Sequence, residues 1–256
     1  ALYAPEHGIE GTAPAGKYIA TRRDSITGLT VHSLYGVTRK PSPAQLAGID
    51  MMVFEMQDIG VRSYTYISTM VRAMEACGER GIPFVVLDRP NPMGGQGVFG
   101  PPLEKQWESF VGQIPVPYVH GMTIGELAIM TNAKGWLARR PQLHVVKMRG
   151  WTRGMLWDNT RLRWHPTSPN IPKPTSPFFY AMTGMLGGLM PVDIGIGTKD
   201  AFEFAAGQGV DPHEFSQAMS RYGFPGTTFQ PYVSSTRPGR NGSRILYNPR
   251  SGADPV

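Results

Sequence analysis

The sequence predicts an α/β protein in which an open, mostly parallel sheet occupies residues 1–163 and a smaller α+β auxiliary domain occupies residues 164–256. Short apolar runs alternate with helical stripes in the first part, and this strand–helix–strand order is typical of right-handed βαβ units. Five prolines lie between Trp164 and Pro177, too many for regular secondary structure. We therefore place the domain change at that proline cluster.

The spacing of apolar residues assigns the elements of the first part. Between Tyr64 and Arg80 apolar residues recur at helical spacing until glycines stop the pattern. Thr123 and Glu126 have the spacing of a capping box, which opens a helix that continues to about Asn132. The other expected elements are a helix near Pro43–Ala47 and strands at Leu2–Ala4, Thr30–Leu34, Met51–Phe54, Phe84–Leu87 and Leu143–Met148.

Beyond the proline cluster the pattern of apolar residues predicts a mixed α+β unit. The expected elements are a helix within Tyr180–Met190, a turn at Gly195–Thr198, a helix capped by Asp211 and a strand around Thr227–Val233. Residue 1 already opens a strand, and the last residues add no closing element. We expect the natural product to extend beyond both ends.

Charge and composition exclude several classes of protein. The net charge is +6, but no run of Lys and Arg exceeds two residues, which argues against nucleic-acid binding. No window offers the roughly 18 uncharged apolar residues of a membrane span. A single cysteine, Cys77, excludes a disulfide within the chain, and the histidines show no metal-ligand spacing, so we expect neither metal nor cofactor.

Familiar catalytic motifs are missing, which narrows the chemistry. The string Gly95–Gly100 matches G-x-G-x-x-G, but two prolines follow it, so no helix can start there and no dinucleotide site is predicted. The sequence also lacks a nucleophile elbow, a Walker A loop and an H-E-x-x-H motif. A nucleotide-sugar or cofactor enzyme is therefore the weaker interpretation, and hydrolysis by carboxylates is favoured.

Polar side chains follow three of the predicted strands, at the point where each strand ends. In an open α/β sheet the carboxyl ends of the strands border the binding crevice, so we expect these side chains to share one site. They are Glu6 and His7 after the first strand, Glu55, Gln57 and Asp58 after the third, and Asp88, Arg89 and Asn91 after the fourth.

Glu6 is the residue that the sequence favours as a general acid. No basic residue adjoins it, whereas Asp88 is next to Arg89 and Asp58 lies four residues from Arg62, so these two aspartates are expected to stay ionised. Asp58 is the candidate base or orienting group. The structural alternatives are that Glu6 pairs with an arginine and that Asp58 caps the turn before the next glycine.

Other side chains near these strand ends suit a sugar or an anion. Arg62 with Tyr64 and Tyr66 could grip such a ligand, although the tyrosines could equally belong to the core. The residues after the fourth strand could position a ligand or act as turn residues. His120 precedes a helix N-terminus, a natural place for a polar ligand group.

Five motifs in order resemble the NamZ-type exo-β-N-acetylmuramidases, glycoside hydrolase family 171, formerly a domain of unknown function. They are Ala4–Gly8 (APEHG), residues 57–66 (QDIGVRSYTY), 87–92 (LDRPNP), 119–126 (VHGMTIGE) and 168–172 (SPNIP). The resemblance implies a Rossmann-like domain, here without its leading β–α unit, plus an auxiliary domain. It also implies release of terminal β-linked N-acetylmuramic acid from the non-reducing end of peptidoglycan fragments.

Carried over by motif, the resemblance implies Glu6 as catalytic glutamate. It places Gln57, Asp58, Arg62, Tyr64, Asp88, Arg89, His120 and Asn170 around the pocket. The chain departs from the family pattern at Glu55, Gly187–Gly188 and Ile196. A non-catalytic muropeptide-binding protein is the alternative. The partners expected are peptidoglycan-derived amino sugars, and the location expected is periplasmic or secreted, with the cytoplasm left open.

Overall fold

The structure is a computed structural model that describes residues 1–235 and 237–249. It shows a mixed α/β protein with several small sheets, divided into the units Ala1–Pro174 and Thr175–Val256. The strands and α-helices of the first unit are, in chain order, β1 (Leu2–Ala4), β2 (Arg22–Arg23), β3 (Thr30–Ser33), β4 (Met52–Phe54), α1 (Tyr66–Arg80), β5 (Phe84–Leu87), β6 (Phe99–Pro102), β7 (Pro117–Val119), α2 (Ile124–Ala133) and β8 (Leu143–Val146).

Parallel pairing dominates the first unit, but it is split between two sheets. Strands β4, β5 and β8 form one parallel sheet, with Met52 opposite Phe84 and Phe84 opposite Leu143. In the other sheet β1 pairs in parallel with β3, and β2 adds an antiparallel edge. Strands β6 and β7 form a separate antiparallel pair. Strands β1 and β4 are therefore edge strands of two different sheets.

Helix α1 forms the core of the first unit against one face of the β4–β5–β8 sheet. Its residues Ile67, Met70 and Met74 are at most 1% exposed and pack with Phe84 and Val86 of β5. These apolar residues recur at helical spacing, as the sequence predicted. The helix ends at Gly81, whose φ of 67° is the left-handed conformation that closes many helices.

Cys77 lies on the buried side of α1. It is 0% exposed, and its Sγ lies 3.8 Å from the Met52 sulfur. Burial raises the pKa of the Cys77 thiol to about 12. The thiol is therefore a core group.

The opposite face of the β4–β5–β8 sheet is less well covered. Val53 of β4 is 54% exposed and Val146 of β8 is 46% exposed, although both are apolar strand residues. Sheets of parallel strands normally have both faces covered. The two faces of this sheet therefore differ in what packs on them within the described residues.

Two predictions for the first unit are corrected by the structure. The helix expected near Pro43–Ala47 is wrong: residues 43–48 form turns, with Pro41 before them, Pro43 at their start and Gly48 at their end with a φ of 72°. The short strands β2, β6 and β7 were not predicted. The β6 sequence FGPP contains two prolines, which remove donors from a ladder and hide an edge strand from sequence analysis.

Four of the five prolines of the cluster lie in the first unit, which ends at Pro174 rather than at residue 163, and Pro177 lies in the second. The Trp164 indole nitrogen donates to the Ile171 carbonyl at 3.3 Å, and its ring packs edge-on against Trp157 with centroids 4.8 Å apart. These contacts give the irregular segment its order without regular secondary structure. A proline count alone marks a loop but does not show which side of it the chain divides.

The second unit contains an antiparallel sheet and two helices. Strand β11 (Arg240–Tyr247) lies between β9 (Phe204–Gln208) and β10 (Thr227–Val233). Arg237 pairs with Asp193 and donates to the Ile196 carbonyl at 2.8 Å. The predicted helix near Tyr180 ends earlier, and a short 3-10 turn follows it at Gly184–Gly188. The elements are α3 (Ser176–Thr183), β9 (Phe204–Gln208), α4 (Pro212–Ser220), β10 (Thr227–Val233) and β11 (Arg240–Tyr247).

Within residues 1–235 and 237–249, none of the helices combines the length and the apolar character needed to cross a bilayer. The same residues contain no cluster of three or more His, Cys, Asp or Glu side chains that could hold a metal ion.

Candidate active site

The polar strand ends of the first unit surround one cavity of about 620 Å³. Its walls include the facing edge residues of β1 and β4, among them Leu2, Tyr3 and Val53. Past the carboxyl ends of these strands it is lined by Pro5, Gly8, Glu10, Glu55, Gln57, Arg89 and, from other segments, Tyr66 and Thr167. Of the polar residues predicted after the strand ends, Glu55, Gln57 and Arg89 line this cavity. The others are not among its lining residues: Glu6, His7, Asp58, Asp88 and Asn91.

Glu6 is buried directly after β1, with 7% of its surface exposed. Its Oε1 accepts a hydrogen bond from the Gly16 backbone N–H at 2.7 Å. Its Oε2 accepts one from the Thr65 hydroxyl, also at 2.7 Å. Each carboxyl oxygen therefore has its own donor, and neither donor is an arginine, so the alternative of an arginine pair is not what the structure shows.

His7 shapes the loop that provides one of those donors. Its φ of 72° is left-handed, and its Nδ1–H donates to the Ala13 carbonyl at 2.8 Å. The Ala13 N–H in turn donates to the His7 carbonyl at 3.0 Å. The two bonds fold the glycine-rich loop back over the end of β1. His7 is 5% exposed and is placed to order this loop rather than to meet a ligand.

Asp58 and His120 form a buried pair at the end of β4. The Gly60 N–H donates to Asp58 Oδ2 at 2.7 Å, and His120 Nε2 lies 3.2 Å from the same oxygen. The Met122 N–H donates to His120 Nδ1 at 3.2 Å, which leaves the proton of a neutral ring on Nε2, facing Asp58. The His120 side chain is 0% exposed, so it supports Asp58 and does not reach a ligand in this conformation.

One oxygen of Asp58 stands out. Asp58 is 4% exposed, and within the described part of the chain its Oδ1 is buried without a hydrogen-bond partner. His120 Nε2 is also without one, although it lies 3.2 Å from Oδ2. Buried polar atoms without partners are uncommon and often mark functional sites. The turn role considered from the sequence is also real, since Oδ2 holds Gly60.

Gly60 is required by this arrangement. Its φ is 85°, and a Cβ built on it would lie 2.5 Å from Asn91 Oδ1. Asn91 itself is 3% exposed and bonded to backbone on both ends of its amide, donating to the Met122 carbonyl and accepting from the Met93 N–H, each at 3.0 Å. Asn91 is therefore a turn residue that fits against Gly60, not an exposed ligand contact.

Glu55, Gln57 and Arg89 form a polar cluster on the cavity wall. The Arg89 guanidinium pairs with Glu55 and donates through Nε to Gln57 Oε1 at 3.1 Å. Gln57 Nε2 donates to the Pro90 carbonyl at 2.8 Å. The Glu55 side chain is 50% exposed and that of Arg89 is 31% exposed. Of the predicted ligand-binding residues, these three are accessible and face one cavity.

Asp88 has a structural role at the end of β5. Its Oδ1 accepts from the Gly125 N–H at 2.8 Å and its Oδ2 from the Thr123 hydroxyl at 2.9 Å. Both donors lie at the start of α2, where Thr123 and Glu126 form the predicted capping box. Burial is the main cause that raises the pKa of Asp88. The carboxylate therefore joins β5 to α2.

Arg62 is drawn towards the β6–β7 hairpin. Its Nη1 donates to the Pro101 carbonyl at 2.9 Å and to the Val116 carbonyl at 2.5 Å. Its guanidinium carbon lies 5.9 Å from the centre of the Tyr118 ring. Burial lowers the pKa of Arg62. One of the two terminal nitrogens of Arg62 thus bonds to backbone carbonyls of the hairpin segment, which the sequence could not show.

Tyr64 and Tyr66 belong to the core, as the structural alternative held. Their rings are 4.8 Å apart, and each is 5% exposed. The Tyr64 hydroxyl donates to Thr167 Oγ1 at 2.7 Å and the Tyr66 hydroxyl to the Thr167 carbonyl at 2.6 Å. Burial raises the pKa of Tyr66 to about 12, and the Glu6 charge adds to the rise. The predicted pocket residue Asn170 is 9% exposed, in the same segment as Thr167.

Sequence analysis missed three residues around Glu6. Thr65 and Gly16 hold its carboxyl group, and Tyr35 is close enough for the Glu6 charge to add to the effect of burial in raising the Tyr35 pKa. Tyr35 follows β3, so the rule that polar residues after strand ends converge could have found it. Thr65 and Gly16 carried no comparable signal in sequence.

Comparison with known families decides the relationship. The model of the N-terminal part of the exo-β-N-acetylmuramidase NamZ matches residues 1–175, and that of its C-terminal part matches residues 178–243. The chain belongs to the NamZ family. The resemblance seen in the five motifs is thereby confirmed, and the two matches meet close to the division observed between the units.

Individual relatives agree with this assignment. The chain is 46% identical over 230 residues to the peptidoglycan β-N-acetylmuramidase NamZ of Bacillus subtilis strain 168, covering 90% of this chain and 55% of that protein. Two crystal structures of DUF1343 family proteins from Bacteroides fragilis NCTC 9343 are also similar. The first has a TM-score of 0.89 and is 42% identical in sequence, covering 98% of this chain and 66% of its own chain. The second has a TM-score of 0.69 and is 29% identical, covering 91% of this chain and 60% of its own chain.

The chain matches only part of the length of these relatives. The chain spans about half the length of the Bacillus NamZ and less than two thirds of the Bacteroides crystal structures. What those longer proteins do as wholes is therefore carried over to this chain only as a proposal.

Proposed function

We propose that this chain is a glycoside hydrolase of the NamZ family that releases terminal β-linked N-acetylmuramic acid from the non-reducing end of peptidoglycan fragments. The observation that carries the proposal is the family match across both units together with a buried, doubly hydrogen-bonded glutamate, Glu6, at a strand end beside the cavity. Glycoside hydrolysis needs such a carboxyl group to protonate the leaving oxygen. Glu6 is our candidate for this general acid.

Asp58 is the candidate for the second carboxylate. A glycosidase uses a second carboxylate to activate water or to attack the anomeric carbon. Asp58 offers an oxygen, Oδ1, that no described residue satisfies, and its other oxygen is held by Gly60. His120 lies beside the same carboxylate, with its Nε2 3.2 Å from Asp58 Oδ2.

The amino sugar is expected to rest against the accessible polar cluster. Glu55, Gln57 and Arg89 line the cavity and present hydrogen-bonding groups of both kinds. The lactyl carboxylate of muramic acid is an anion that an arginine can bind. Arg62 and Arg89 are the arginines that lie within the five motifs. For Arg62 we assign Nη2 to the ligand, while Nη1 stays on the hairpin.

The test is release of chromophore from para-nitrophenyl β-N-acetylmuramide, followed by release of the sugar from a muramyl disaccharide. An exo-acting hydrolase frees N-acetylmuramic acid from both. A muropeptide-binding protein without turnover, the alternative function, frees none but shows a raised Tm in the presence of the sugar. Matched para-nitrophenyl β-N-acetylglucosaminide, which lacks the lactyl group, is the control substrate.

We also infer that the two parallel sheets belong to one Rossmann-like open sheet with a further parallel strand between β1 and β4. Each of these strands has a neighbour on one side, and their other edges line the same cavity. The exposed face at Val53 and Val146 fits a helix that would accompany such a strand. A crystal structure of a longer form containing this β–α unit would test the arrangement directly.

The expected location follows from the proposed substrate. Peptidoglycan is built outside the cytoplasmic membrane, so we propose a periplasmic or secreted enzyme. Fractionation of cells that express the full-length gene, with activity measured in each fraction, tests this.

A further inference from the structure

Thr65 occupies an unusual position at the start of helix α1. A threonine at this place normally accepts a hydrogen bond from a backbone N–H of the first turn. Thr65 makes no such bond, and its backbone (φ −68°, ψ −7°) is already helical rather than extended. Its hydroxyl instead donates to Glu6 Oε2 at 2.7 Å, across a separation of 59 residues. The helix gives up a local cap, and the carboxyl group gains a donor.

The hydrogen bond between Thr65 and Glu6 joins a residue fixed on a helix to a buried carboxyl group. The Thr69 N–H and hydroxyl donate to the Thr65 carbonyl at 2.9 and 3.1 Å, which fixes Thr65 on the first turn of a well-packed helix. Thr65 is 6% exposed and Glu6 is 7% exposed, so water does not compete freely for the bond. A donor on a rigid element holds a reactive group more precisely than a donor on a loop.

Two hydrogen bonds distinguish the oxygens of Glu6, and the Tyr35 side chain bonds to the same carboxyl group. The Gly16 N–H can only donate, so Oε1 is an acceptor in every protonation state. A hydroxyl can donate to a carboxylate or accept from a carboxylic acid, so Oε2 is the oxygen that can carry the proton. The acid proton of Glu6 is therefore assigned to the oxygen next to Thr65.

We propose that Thr65 is a positioning residue for the general acid Glu6. Its hydroxyl fixes the carboxyl plane before proton transfer and stabilises the carboxylate that remains on Oε2 once the proton has moved to the leaving oxygen. The start of α1, with its partial positive charge, lies on the same side of Glu6 and acts in the same direction. This inference rests on the proposed hydrolase function.

The experiment compares Thr65→Val, which removes the hydroxyl at nearly constant shape, with Thr65→Ser, which keeps it. Turnover of the para-nitrophenyl substrate is measured from pH 4 to 9 for both variants. The matched control is Thr131→Val, a buried helical threonine whose hydroxyl has no hydrogen-bond partner in the described structure. Tm values accompany every variant.

Thr65→Val is expected to lower kcat roughly tenfold or more, the usual worth of a hydrogen bond to a charged group, with KM within about twofold. Removing a donor to the ionised carboxylate favours the protonated acid, so the alkaline limb of the kcat profile should move to higher pH. Thr65→Ser should restore both kcat and the position of that limb. Thr131→Val should change neither.

A merely structural role gives a different pattern. If Thr65→Val lowers kcat only in proportion to the fraction unfolded, with the alkaline limb unmoved, or keeps full kcat, the inference is overturned. The proposed function then still stands, provided that the wild type is active and Glu6→Gln is not. If the wild type itself releases no sugar, the proposed function fails first. If Thr65→Val does not fold, Thr65→Ala replaces it, with the same expected loss of kcat and the same shift of the alkaline limb.

Discussion

Glu6 and Asp58 are two buried carboxylates at the ends of different strands, and they are satisfied in different ways. Both oxygens of Glu6 have donors, one from a distant loop and one from helix α1. Among the described residues, Asp58 has one donor on Oδ2, the Gly60 N–H, and none on Oδ1. The two carboxylates are similarly buried, yet they differ in their hydrogen bonds. Glu6 is held in a fixed orientation, whereas Asp58 keeps one oxygen that can still accept a hydrogen bond.

The largest effect is expected from Glu6→Gln. The amide can still accept from Gly16 and donate to the Thr65 hydroxyl, so the fold and ligand binding should be retained while the acid proton is lost. Turnover of a substrate with a poor leaving group should fall at least about 10²-fold. Glu104→Gln, at an exposed glutamate, is the control. Near wild-type turnover would remove Glu6 as the acid.

Asp58→Asn tests the other half of the comparison. Here kcat should fall by about tenfold or more, whereas Tm should stay constant or rise, because a neutral amide replaces a buried charge with an unsatisfied oxygen. Activity and thermal unfolding of the same preparation give both readouts, with exposed Asp50→Asn as control. Retained activity with a lowered Tm would make Asp58 a turn residue only.

Gly60→Ala should damage the Asp58 side without touching Glu6. The new Cβ would meet Asn91 Oδ1 at 2.5 Å in a left-handed conformation, so we expect a loss of about 1–3 kcal/mol in the free energy of unfolding. Urea unfolding measures it. Gly48→Ala has a similar φ of 72° but no atom within 4 Å, and it should cost less. Equal losses would mean that the contact with Asn91 is unimportant.

The smallest effect concerns Tyr66, near Glu6. Burial raises its folded-state pKa to about 12, above the unfolded value of 10.0, so its contribution to stability is full below pH 10 and is lost as pH rises towards 12. Above pH 10 the free energy of unfolding should fall less steeply in Tyr66→Phe than in wild type, by up to about 1.4 kcal/mol per pH unit. Exposed Tyr222→Phe should leave the slope unchanged. Parallel slopes would contradict the assignment.

Sequence patterns were informative where one local rule decided the outcome. The α1 stripe, the α2 capping box and the polar residues after strands β1, β4 and β5 all follow from short-range spacing, and the structure has them. The bond from Thr65 to Glu6 depends on which loop folds over which strand, and no local rule gives that. For the same reason the sequence did not show that Arg62 would turn to a hairpin.

Burial explains the remaining differences at the site. A tyrosine after a strand looks alike whether it faces a ligand or the core, and Tyr64 and Tyr66 became core residues because Thr167 offered partners for their hydroxyls. His120 likewise lies behind Asp58. Tertiary contacts decide whether such a side chain is buried or faces a ligand. For the two tyrosines these contacts join segments about 100 residues apart in the sequence.

Cys77 gives the molecule an internal reporter. The thiol is the single one in the sequence, is 0% exposed and has a pKa of about 12, so an alkylating reagent can label it only when α1 moves away from β4. The labelling rate therefore reads the opening of the helix whose first turn holds Glu6. Because Tyr66, Thr69 and Ala73 of this helix line the cavity, a sugar bound there must slow the labelling, which makes occupancy measurable even in a variant that has lost turnover.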